Sequence, residues 1–374
     1  MVTVIERERR YNSIYKQIIN SDLQAIIIVG NAEANQRGYI RYVSDWRLWG
    51  GYGFAVMEID EDPILFLGSG SQSYWARDIK WIEDVRDNID SIGEICNTLK
   101  IFNKKGAKIG IVGLNNILQK EIYDKITFEL NKIEFVDFTI TFDNIMSVKS
   151  KEEIDYARNT YNLISKAFDI ITNNIKPGIT EIEIMSKAKS FLYDNGCFDG
   201  IAHITNDSPP FIHPATERKL EIDDVIKISL EFAGPEGYWI ELAGVYSFKK
   251  PSSRLMKNFS TTLNALNLAK NLMIPDTIAG DISKEIEKLY IKEGWEIWGR
   301  AIWDFHAIGL NVIRPPIGTE TSSDKIHKNM IINCHPGLMV KPDKLGMYLQ
   351  DNFLITENGG KPLGEYKYKW NLIN

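Results

Sequence analysis

The chain has 374 residues, a length that suggests two domains, with 44% hydrophobic and 25% charged side chains, the balance of a globular protein with a sizeable core. Fifty acidic residues against 44 basic ones give a net charge of −6, which argues against a broad basic surface for nucleic acid. Three scattered cysteines, Cys96, Cys197 and Cys334, exclude a disulfide framework and a zinc site of paired cysteines.

Any imidazole chemistry must come from His203, His213, His306, His327 and His335. The N-terminal segment mixes Glu6 and Glu8 with arginines and lacks an apolar stretch ending at a cleavage site, so no signal peptide is expected. The longest apolar runs, such as residues 25–29, are strand-length and too short for a bilayer. The expected location is the cytoplasm, with no membrane partner.

In chain order, helical spacing over residues 5–19 is followed by a short buried strand at 24–29. Residues 52–59 and 64–67 read as a hairpin around the acidic turn Asp60-Glu61-Asp62-Pro63, and 109–112 as another strand. This predicts an α/β unit ending near residue 145. After Ser147-Val148-Lys149-Ser150, Ile154, Tyr161, Ile164, Phe168, Ile171 and Ile175 line one helical face, which Pro177-Gly178 stops. Thr180 with Glu183 three residues on predicts a capping box. Strands are expected at 225–232, 238–248, 331–333 and 352–356, with a helical region at 253–293 broken at Pro275. Asn329 and Asn358-Gly359 read as turns.

Seven segments, in order, resemble landmarks of the creatinase/aminopeptidase P superfamily, whose pita-bread fold is shared with prolidase and methionine aminopeptidase. They are Lys149-Ser150-Lys151-Glu152-Glu153-Ile154; Lys176-Pro177-Gly178-Ile179-Thr180-Glu181; the loop 206–213 ending Phe211-Ile212-His213; residues 224–230 followed by Gly237-Tyr238; Phe305-His306-Ala307-Ile308-Gly309 with Arg314-Pro315-Pro316; Asn333-Cys334-His335-Pro336-Gly337; and Leu349-Gln350-Asp351 through Thr356-Glu357-Asn358-Gly359. The resemblance implies an α+β chain: an N-terminal α/β creatinase-type domain over residues 1–146 and a C-terminal pita-bread catalytic domain over 147–374, habitually a closed homodimer.

Peptidase members of that superfamily hold two metal ions with two aspartates, a histidine and two glutamates. At those positions this chain has Ser229, Glu241, His306, His335 and Gln350. Two adjacent ions need bridging carboxylates, so the neutral Ser229 and Gln350 argue against a conventional two-metal aminopeptidase. Either Glu241, His306 and His335 bind one divalent ion, for which two histidines and a carboxylate suit iron, zinc or manganese, or the site is metal-free, as in creatinase. His213 matches the family's loop histidine, an acid–base candidate. With Glu241, His306 and His335 it completes the expected catalytic set.

Arg314 is expected to clamp a substrate carboxylate, while Tyr238, Ser229 and Gln350 line the cavity. Arg47 and Trp49 match a region that reaches the partner's site in creatinase-like dimers. His203 is assigned to structure and His327 to solvent. The leading functional expectation is an enzyme that cleaves a C–N bond of a small polar molecule. A one-metal lyase or oxidative enzyme, or an inactive binding protein, are the alternatives.

Overall fold

The computed structural model describes residues 2–373 apart from 80, 88, 89 and 207, the last lying inside the loop that carries His213. The fold is α+β, and the chain divides into two compact units, Met1–Met146 and Ser147–Asn374.

The first unit contains α1 (Val4–Asn20), β1 (Ala25–Asn31), α2 (Gly38–Ser44), β2 (Tyr52–Glu58), β3 (Ile64–Leu67), α3 (Gly70–Ala76), β4 (Val85–Asp87), α4 (Ser91–Leu99), β5 (Lys108–Val112), α5 (Lys120–Glu129), β6 (Glu134–Asp137) and α6 (Thr139–Ser147). Its sheet runs β4-β3-β2-β1-β5-β6, with the expected β2–β3 hairpin antiparallel and β1, β5 and β6 parallel. The strand β1 is buried on both faces, which explains its uninterrupted apolar run.

The second unit opens with α7 (Lys151–Asn174) and α8 (Glu181–Asp194). Both begin with capping boxes. Ser150 pairs with Glu153, and the Thr180 hydroxyl accepts from the Glu183 amide at 3.1 Å while Glu183 accepts from the Thr180 amide at 2.8 Å. Replacing Thr180 by alanine orphans the first of these donors. A loss of about 1 kcal/mol is expected in urea denaturation, with the fold unchanged.

The strands β7 (Asp199–Thr205), β8 (His213–Pro214), β9 (Val225–Ala233) and β10 (Trp239–Ser247) follow, then α9 (Ser253–Leu272) and α10 (Ala279–Lys292), separated where Pro275 predicts. Next come β11 (Ile297–Arg300), β12 (Phe305–Ala307), β13 (Arg314–Ile317), β14 (Ile331–Cys334), β15 (Leu338–Val340), β16 (Leu345–Met347), β17 (Asp351–Thr356), β18 (Gly359–Pro362) and β19 (Trp370–Leu372). They form three sheets, ordered β19-β10-β9-β7-β8, β13-β12-β14-β17-β18 and β11-β15-β16. Asn329 has a φ of 63° and Gly359 a φ of 109°, the left-handed conformations their turns require.

Alternation along the strands decides which side chains face the site. On β12, β14 and β17, Phe305, Ile332, Cys334 and Phe353 join an apolar cluster with Phe259 of α9 and Ile286 of α10. His306 pairs with Asn333, and Asn333 with Asn352, so these three share the opposite face. On β9 and β10, Glu231 pairs with Glu241 and Ser229 with Ala243. The intervening Ile228, Leu230, Phe232, Ile240 and Leu242 are buried, and α7 packs against β10. Two side-chain amides tie the sheets together where β10 meets β17. Asn352 Nδ2 donates to the Glu241 carbonyl at 2.5 Å, and Gln350 Nε2 donates to the Leu242 carbonyl at 3.1 Å. Among the described residues, no helix is long and apolar enough to cross a membrane.

Candidate active site

The inward face of these two sheets gathers Glu241, His306 and His335. One ligand atom from each lies within 4.8 Å of the others, and all three residues are buried. His306 Nε2 stands 3.7 Å from Glu241 Oε1. His306 Nδ1 lies 3.1 Å from the Ala307 carbonyl, an acceptor only, so Nδ1 carries the proton and the Nε2 lone pair faces the cluster. The two imidazole rings are 5.2 Å apart. Asn333, opposite His306, donates to Glu241 Oε2 at 2.5 Å and leaves Oε1 turned toward the histidine.

Burial pushes the His306 imidazole down to about 4, and burial plus its histidine neighbour pushes His335 down to about 3. Both are therefore neutral at physiological pH, the state in which imidazole binds metal. Burial and the facing Glu231 raise Glu241 well above the usual carboxylate range. Burial likewise raises Glu231 to about 7, against the Ser229 hydrogen bond that lowers it. A divalent cation would relieve the repulsion between the two carboxylates and replace the water lost on burial. The three donors thus suit one ion: two neutral imidazoles and a carboxylate with one oxygen held by an amide, His306 Nε2 and Glu241 Oε1 standing 3.7 Å apart.

Ser229 and Gln350 are completely buried but bind each other rather than facing open space, Gln350 Nε2 donating to Ser229 Oγ at 2.6 Å. His213 is half-buried on β8, outside the three-residue cluster, with its Nδ1 2.8 Å from the Pro214 carbonyl. Arg314 pairs with Ala307, next in register to His306, and its guanidinium donates to the Ile313 carbonyl at 2.9 Å. The Trp303 ring stands nearly perpendicular to that of His306, with centroids 6.3 Å apart. Arg47 and Trp49 belong to the first unit, where the exposed Trp49 donates through its backbone to Gln72 at 3.3 Å.

Tyr238 requires a correction. It is buried on the α7 side of β10, donating its hydroxyl to Glu153 at 2.7 Å with its ring 5.9 Å from that of Tyr156, so it braces a helix cap instead of lining the cavity. The strand parity explains this, because Tyr238 and Glu241 are an odd number of residues apart. His327 is exposed. His203, assigned to structure, pairs with Ser229 and so lies on the site's face, half-buried with Nδ1 unpartnered.

Glu231, Asn333, Tyr348 and Asn352 escaped the sequence reading. The first two were accessible by counting in twos, from Ser229 to Glu231 and from His335 to Asn333. Tyr348 follows a three-residue strand and has no periodic signal.

Residues 155–357, more than half of the chain, match metallopeptidase family M24. An uncharacterized peptidase of Bacillus subtilis, YqhT, is 22% identical over 333 residues, covering 87% of this chain and 90% of that protein. Among solved structures, an X-Pro aminopeptidase of Thermotoga maritima superposes with a TM-score of 0.85 at 18% identity, over 97% of this chain and 99% of its own. A prolidase of Pyrococcus horikoshii gives 0.79 at 19% identity, covering 96% and 99%. At these identities the superpositions establish the pita-bread fold.

Proposed function

We propose that this chain, which belongs to metallopeptidase family M24, is an atypical hydrolase of that family that uses one divalent ion, held by Glu241, His306 and His335, to cleave a C–N bond of a small polar molecule. The observation that carries this reading is the meeting of two neutral, buried imidazoles and one carboxylate within 4.8 Å. When bound, the ion supplies Lewis-acid polarisation of a carbonyl or imine-type centre, and iron, zinc or manganese suits the donor set.

The protein's own groups do the rest. Asn333 orients Glu241. Glu231, directly opposite on β9, is the carboxylate placed to take and return a proton. His213, on the edge strand β8, and Arg314, on the edge strand β13, complete the proposed substrate contacts. The cytoplasmic location and the homodimer implied by the resemblance belong to the same reading.

A second, metal-free reading rests on the Asn333–Glu241 bond of 2.5 Å, which already gives one carboxylate oxygen a partner without any cation. Elemental analysis of the purified protein separates the two. One iron, zinc or manganese ion per chain, lost on dialysis against a chelator, is the expected result. No ion favours the metal-free site, and two ions per chain contradict both readings.

A further inference from the structure

Three neutral side chains form a hydrogen-bonded chain beside the proposed ion site. Tyr348 Oη donates to Gln350 Oε1 at 2.8 Å, Gln350 Nε2 donates to Ser229 Oγ at 2.6 Å, and Ser229 Oγ donates to Glu231 Oε1 at 2.8 Å. Its direction is fixed by chemistry. Gln350 Nε2 also reaches the Leu242 carbonyl at 3.1 Å, which can only accept, so the amide oxygen must be the end turned to Tyr348. Having accepted from the amide, Ser229 has one proton to give, and Glu231 receives it.

The chain begins beside one proposed ligand and ends opposite another. The Tyr348 ring lies within 19° of parallel to that of His335, with centroids 6.4 Å apart, and Glu231 is the direct cross-strand partner of Glu241. Cross-strand partners have Cβ atoms about 5 Å apart, well within a glutamate's reach of a common ion. Even so, Glu231 falls outside the cluster of ligand atoms.

Resting on the one-ion reading, we infer that Tyr348, Gln350 and Ser229 are positioning residues that hold Glu231 out of the metal's ligand set, tying one of its oxygens to Ser229 and leaving the other for the substrate. Neutrality is essential to the device. A carboxylate in place of Ser229 or Gln350 would put a third negative charge beside Glu231 and Glu241 and would offer Glu231 no proton to hold it.

The test uses the full chain with Co2+ alone as the probe, because the intensity of its visible bands drops several-fold as its coordination number rises. In Ser229→Ala, Glu231 loses its tether and joins the ion, so the absorbance falls. In Ser229→Ala/Glu231→Gln the wild-type spectrum returns. Tyr348→Phe, which removes a single oxygen at the far end of the chain, moves the spectrum in the same direction by less. An unchanged spectrum in Ser229→Ala overturns the inference, as does a change that persists in the double variant. Both outcomes leave the one-ion reading standing, whereas a wild-type chain that takes up no Co2+ overturns that reading and this inference with it.

Discussion

The His306→Ala variant is expected to bind Zn2+ or Mn2+ at least about a thousandfold more weakly than the wild type, about 4 kcal/mol, and to lose its ion during purification. His306 sits on the three-residue strand β12, bonded on one edge to β13 and on the other to β14. Its ring is 2% exposed, its Nδ1 is committed to the Ala307 carbonyl, and its Nε2 faces Glu241. Alanine leaves Glu241 and His335 as a two-ligand site, and the nearest polar replacement, the Asn333 amide nitrogen at 3.4 Å from His306 Nε2, is a donor without a lone pair for a metal. Isothermal calorimetry on chelator-treated protein reads the affinity, and circular dichroism shows whether the sheet survives the truncation. Affinity within tenfold of the wild type in a folded variant would remove His306 from the ligand set and with it the one-ion proposal.

Much of this arrangement could be read from residue order alone, and the remainder was hidden for identifiable reasons. The helix α7 announced itself through about six turns of apolar spacing, and both capping boxes through the Ser150/Glu153 and Thr180/Glu183 pairs. The strands β9 and β10 were visible because they are long and mostly buried. The short strands β11, β13, β15 and β16 have three or four residues each, too few to establish a period, and β11 pairs with β15, far along the chain. At the site, matching to a family assigned one residue to each expected ligand position and stopped there. With Ser229 at the first position, Glu231, on the same face two residues later, matches no family landmark. The loss of charge at Ser229 and Gln350 suggested a stripped site, whereas the fold keeps a second carboxylate opposite Glu241 and uses the two neutral residues to hold it. Tyr238 erred the other way: its place beside Gly237 in a recognisable hairpin says nothing about which side of the strand it occupies, and its hydroxyl goes to Glu153.

Asp351 gives the folded protein a pH dependence opposite in sign to that of its buried histidines. Its carboxyl is 5% exposed, and burial raises it from an ordinary value of 3.8 to about 7, with hydrogen bonds from the Asn352 amide at 2.8 Å and the Tyr161 hydroxyl at 3.1 Å opposing the rise. The folded protein therefore keeps a proton that the unfolded chain gives up. Below pH 4 both states are protonated and Asp351 contributes fully. Between about pH 4 and 7 unfolding releases the proton, so stability falls as pH rises, by on the order of 2–4 kcal/mol, and above pH 7 the loss is complete.

His306 and His335 pull the other way. Their imidazoles are held at about 4 and about 3, so they lose stability as pH falls below the ordinary histidine value, which makes the wild-type profile alone uninformative. The difference between wild type and Asp351→Asn cancels those contributions. Asparagine cannot ionise and keeps an oxygen for the Tyr161 hydroxyl. In urea denaturation the variant should equal or fall below the wild type near pH 4.5 and gain on it steadily up to pH 7.5. Parallel profiles across that range would mean that Asp351 is ionised in the folded protein despite its burial.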